Sequence, residues 1–170
     1  YAFSNHDAAQ SYEDEDIFRA SELFFDQKEA SRARELLVGL QARLKALLGG
    51  HIAGHLWPLW ENVRIMVSPN APVFARTLVE GSFGRSPAIV LNALPVREMN
   101  DVQLLYVLGH EIGHLVFDDV HMKAQEVLRS TGDLDRHLFL LSEIERRCDR
   151  LGLALAMDVF GPAAVAQIAA

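Results

Sequence analysis

Apolar residues change their spacing twice along the chain, and the changes mark out three regions. Ile17, Ala20, Leu23 and Phe24 recur at helical spacing behind the acidic run Glu13–Asp16. Such a run suits a helix's first turn, where the dipole favours carboxylates. A second helical stripe follows at Ala30, Ala33, Leu36, Leu37, Leu40, Leu44, Leu47 and Leu48, and Gly49-Gly50 stops it. From Asn62 the period falls to two. Val63, Ile65 and Val67 alternate, Ser68-Pro69-Asn70 signals a turn, and Val73–Glu80 and Ala88–Asn92 read as two more strands around the loop Gly81–Pro87.

The helical period then returns. Asn100-Asp101 caps a helix that is apolar at Leu104, Leu105, Val107, Leu108, Ile112, Leu115 and Val116, and Asp118-Asp119 ends it. A short helical piece is expected over Met122–Arg129, a loop over Ser130–Asp133, and a long helix from about Leu134 to Phe160. Gly161-Pro162 and an Ala-rich helix start follow. Helices, a small sheet, then helices predict an α+β fold. The expected division is a helical region over residues 1–61, part of the same domain or a cover, and a core over 62–170.

Length and charge narrow the function. With 170 residues and half of them hydrophobic, the chain suits one globular domain. Its 16 Lys+Arg against 23 Asp+Glu leave a net charge of −7, which argues against binding a nucleic-acid backbone. No apolar run reaches the ~18 residues of a membrane span, since stretches such as Leu151–Phe160 are broken by Gly or charge. The single cysteine, Cys148, excludes an internal disulfide and fits a reducing, cytoplasmic or cytoplasm-facing setting. The chain starts at Tyr1 without an initiator methionine, as expected of an excised or processed piece, and any anchor would have gone with the missing part.

Chemistry concentrates in His110-Glu111-Ile112-Gly113-His114, an HExxH motif. On a helix, positions i and i+4 share a face, so the two imidazoles can grip one metal ion. Glu111 lies about 100° around the helix from His110, too displaced for a ligand but placed to reach a water on the metal. Imidazole pairs suit zinc, and a catalytic zinc keeps one position for water. The bare pattern arises by chance, but the apolar flanks Val107-Leu108-Gly109 and Leu115-Val116-Phe117 would bury its helix.

A third ligand is needed, and Glu145 with Asp149 forms a second i, i+4 pair on the long helix. Glu145 can complete a two-histidine, one-glutamate zinc site, and Asp149 can accept the free ring N–H of a ligand histidine. Glu143 competes for the ligand role but has Arg147, not an acid, one turn later. His51 and His55 also stand four apart, without the glutamate, and read as a loop or helix end. Trp57 and Trp60 read as packing, and Cys148 as a small buried residue and not as a ligand or nucleophile.

These residues resemble the HtpX-like and CAAX prenyl endopeptidase type of gluzincin metallopeptidase, which pairs HExxH with E-x-E-A-D-x-x-G. The matching stretch is Glu145-Arg146-Arg147-Cys148-Asp149-Arg150-Leu151-Gly152, followed by a similar Gly-Pro turn at Phe160–Ala164. Asn70-Ala71, Ala88–Leu91 and Val102–Leu108 resemble the family's upstream edge strand, apolar strand and leucine-rich run, so the likeness covers Val63–Ala164. It implies a zincin-like domain with a small, mostly antiparallel sheet. It also implies one zinc ion on His110, His114 and Glu145, Glu111 as general base, and Asp149 as the orienting carboxylate. The implied activity is hydrolysis of a peptide or protein substrate by a metal-activated water. Separately, the strand candidate before the motif suggests that an extended substrate adds to the edge strand near Val73–Val79.

The chain departs from that pattern at Arg147 and Cys148, and Ser142 stands where the family often has Arg. The family's membrane helices are missing, and its transition-state helper has only His121, His137 and Arg146 as candidates. Two other readings follow: a metal-binding or protein-binding domain without catalysis, and a regulatory peptidase of the ImmA/IrrE type. The Asp149–Gly152 run favours the first family over the latter.

Overall fold

The computed structural model describes residues 26–48, 63–71, 74–78 and 87–169. The helix expected at Ile17–Phe24, the 51/55 histidine pair and both tryptophans lie outside them. So do Gly49-Gly50, the ends of the Val73–Glu80 strand and most of the Gly81–Pro87 loop. The chain forms two compact units that meet in sequence at Met99 and Asn100.

The first unit contains helix α1 (Gln27–Leu48), strands β1 (Arg64–Ser68), β2 (Ala75–Leu78) and β3 (Ala88–Asn92), and a short helix α2 (Ala93–Glu98). Ala30, Ala33, Leu37, Leu40 and Leu44 form the buried stripe of α1, as their spacing predicts. Asp26 starts that helix by accepting the Glu29 N–H at 3.1 Å. The Arg97 guanidinium beside Asp26 holds its carboxyl below the usual range, helped by the Glu29 N–H.

The sheet order is β1-β3-β2. β3 pairs parallel with β1 and antiparallel with β2, so the sheet is mixed and not mostly antiparallel as expected. The reason is topological. β3 lies between β1 and β2, parallel to one and antiparallel to the other, and local alternation carries no information about that pairing. As the central strand, β3 buries Ala88, Ile89, Val90 and Leu91, which explains its unbroken apolar sequence.

Helix α2 was not expected. It is six residues long and carries Pro95 in its first turn, too short for a period to show. Asn92 caps its start, and Arg32 donates to the Val96 and Met99 carbonyls at its end, at 3.1 and 2.6 Å.

The second unit is helical: α3 (Asp101–Val116), α4 (Asp118–Thr131), α5 (Leu134–Phe160) and α6 (Ala164–Ile168). The 27-residue α5 is its spine, and α3, α4 and α6 all pack on it. Asn100 and Gln103 form a reciprocal capping box at the start of α3. Asp118-Asp119 does not close α3 at its own position. The helix ends at Val116, and the aspartates open α4, which runs to Thr131 and covers more than the expected Met122–Arg129. An acidic pair is at home at a helix start, so it marks a boundary without saying which side is helical. Gly132, at φ 65°, then ends α4 in the left-handed conformation, and Asp133 caps α5 through the Arg136 N–H.

Among the described residues, no helix is long and apolar enough to cross a membrane. The fold is therefore α+β, mostly helical, with a three-stranded mixed sheet.

Candidate metal centre

The site belongs to the helical unit alone. His110 and His114 stand one turn apart on α3, their rings edge to face with centroids 5.1 Å apart. Across from them, α5 presents Glu145. Its Oε2 lies 3.3 Å from His110 Nε2, and its Oε1 lies 3.7 Å from His114 Nε2. One ligand atom from each of the three residues falls within 4.8 Å of the others.

Small residues make this approach possible. A Cβ on Gly109 would lie 2.8 Å from Gly152 Cα, and one on Gly113 would lie 2.8 Å from both Cα and Sγ of Cys148. A Cβ on Gly152 would lie 2.6 Å from the Tyr106 carbonyl oxygen. Gly109 and Gly113 thus face Cys148 and Gly152 along a seam where the two helix backbones nearly touch. Glu145 and Asp149 flank that seam on α5 and are carried to the histidines by it. Cys148 is the small, fully buried residue the sequence suggested.

Asp149 sits behind His110. Its Oδ1 is 2.9 Å from His110 Nδ1 and accepts a second hydrogen bond, 2.8 Å long, from the Tyr106 hydroxyl. A carboxylate can only accept, so a proton on Nδ1 makes this contact a hydrogen bond, and Nε2 is then the ring nitrogen that a metal ion would use. Burial, and then the bond to Asp149, push the Tyr106 hydroxyl up to about 12. Tyr106 is the residue that motif reading missed. The available signal was its spacing, since positions 106, 110 and 114 fall on one helix face.

Glu111 is buried. Burial, followed by the charges of Glu145, Glu111 and Asp149, raises the Cys148 thiol to about 12. Three carboxylates therefore share one negative field at the seam, which a divalent cation would offset. The donor set fits zinc in kind, with two imidazole nitrogens and one carboxylate. The two His–Glu separations, 3.3 and 3.7 Å, are near the roughly 3.3 Å between ligands held ~2.0–2.1 Å from a tetrahedral ion.

The other candidates lie elsewhere. Glu143 pairs with Arg146 at 2.8 Å and Arg147 at 3.3 Å, and it is not among the converging donors. Arg147 lies over the Phe117 ring, 5.9 Å from its centroid. His137 is buried with Nδ1 2.8 Å from the Ala124 carbonyl, a tie between α5 and α4. The side chain of His121 lies outside the described residues. Compared with family models, with curated proteins and with solved structures, the chain finds no match.

Proposed function

We propose that this chain is a zinc-dependent endopeptidase with His110, His114 and Glu145 as metal ligands and Glu111 as general base. One observation carries the reading: donor atoms from these three ligand residues, on two different helices, converge within 4.8 Å. A zinc ion held there would supply a Lewis acid, lowering the pKa of a water toward ~7 and polarising a substrate carbonyl.

The chain's own residues do the rest. Glu111 removes the proton of the attacking water and returns it to the leaving amine. Its place about 100° around α3 from His110 keeps it out of the ligand set. Asp149 fixes the His110 ring and its tautomer through Nδ1. The HtpX-like assignment is part of the proposal, supported by the order of HExxH, ExxxD and Gly152 in the sequence.

The test compares the wild type with Glu111→Gln. Both should hold about one zinc per chain, while peptide cleavage should fall by roughly 10²–10⁴-fold in the variant. A wild type that holds zinc yet cleaves nothing in a broad peptide library leaves a metal-binding domain and overturns the peptidase reading.

A further inference from the structure

We infer that Tyr106 is a positioning residue for the metal centre, acting through Asp149 on His110; the inference rests on the zinc reading of that site. Three observations join here. The Tyr106 hydroxyl and His110 Nδ1 meet the same oxygen, Asp149 Oδ1, at 2.8 and 2.9 Å. Asp149 is otherwise an exposed side chain on the surface of α5, with rotamer freedom of its own. The third concerns the Tyr106 ring, whose Cδ2 lies within 3.2 Å of where a Gly152 Cβ would be, so the ring occupies space that Gly152 leaves open.

The physical consequence is a two-point hold on an exposed carboxylate. With only His110 as partner, Asp149 can turn to solvent, and the His110 ring can then rotate or exchange tautomers. The tyrosine hydroxyl gives Oδ1 a second fixed partner across 43 positions of sequence. Oδ1 is thereby kept within hydrogen-bond reach of Nδ1, and the ring edge that carries Nε2 stays turned to the Glu145 side. Tyr106 need not touch substrate or metal to do this.

Zinc affinity of the full chain, measured by competition with a chromophoric chelator, tests the inference. Losing a residue that orients a metal-bound histidine typically weakens binding 10–100-fold, and Asp149→Ala should fall in that range. Tyr106→Phe keeps the ring and removes only the hydroxyl, and should weaken zinc by about tenfold, the low end of such effects. The double variant decides the route. If Tyr106 acts through Asp149, adding Tyr106→Phe to Asp149→Ala changes affinity no further, whereas an independent packing role would multiply the two losses. A Tyr106→Phe variant that binds zinc as tightly as the wild type overturns the inference and leaves the zinc site standing, as does multiplication of the losses. A wild type that takes up no zinc overturns both.

Discussion

Gly152 lies so close beneath Tyr106 that a methyl group added to it would stand 2.6 Å from the Tyr106 carbonyl oxygen. Alanine usually favours a helix interior over glycine by about 1 kcal/mol. Here the sign should reverse, because the obstructing atom is backbone and α3 and α5 would have to separate. Gly152→Ala is expected to destabilise by about 1–3 kcal/mol and to lower the melting temperature by about 2 °C or more. It should also weaken zinc binding, since Glu145 and Asp149 retreat with α5. Thermal unfolding and chelator competition on the same sample check both.

Glu145 and Glu143 are close in sequence and opposite in circumstance. Glu145→Ala should abolish tight zinc binding, because only two donors remain. Glu143→Ala loses surface pairs with Arg146 and Arg147, which are worth about 0–1 kcal/mol, and should leave zinc affinity within about twofold. Unchanged affinity in Glu145→Ala would remove it from the ligand set.

Cys148 should be inert in the folded protein. Burial and three nearby carboxylates raise its thiol to about 12, so at pH 8 it is neither ionised nor reachable. Ellman's reagent should react slowly with the native protein and at once after guanidinium unfolding. The shift also sets a direction for stability. The folded state holds this proton more tightly than the unfolded chain, so the contribution is intact below about pH 9 and is lost as pH rises toward 12. Denaturant midpoints of the metal-free wild type and Cys148→Ala should converge or cross over that interval.

Asp26 gives the opposite sign in the sheet-containing unit. It caps α1 and pairs with Arg97 at 2.5 Å, and both hold its carboxyl below 3.8. Its contribution is therefore present above the unfolded value and is lost as pH falls through the lower folded one. Asp26→Ala should cost about 1 kcal/mol at pH 7, and the gap from the wild type should narrow near pH 2. Urea titrations at the two pH values measure it.

What the sequence disclosed follows from the range of the forces involved. The α5 helix was legible to its ends, Leu134 and Phe160, because a long amphipathic period and flanking caps are local signals. So was β3, whose apolar run matches a central strand. The direction of β1 beside β3 was not, because pairing depends on how the intervening chain crosses the sheet. Within the site, His110, Glu111 and His114 announce themselves as a motif, and Glu145 with Asp149 by their spacing. Tyr106 stayed hidden because tyrosine at a helix position is ordinary, and its partner stands 43 positions away. The seam was half visible. Gly109 and Gly113 stand four apart, as do Cys148 and Gly152, but only their meeting shows what the spacing is for.

That seam gives the site a second use as an instrument. His110 and His114 share one helix, so they stay neighbours whenever α3 is helical, packed or not. Glu145 joins them only when α5 is docked at backbone contact. A chain that keeps its helices but loosens their packing would therefore retain a two-nitrogen half-site and lose the oxygen donor. Metal affinity would then report tertiary docking, while circular dichroism reports helix content. If the site holds zinc as proposed, a compact but loosely packed state should keep its helical signal and release the ion.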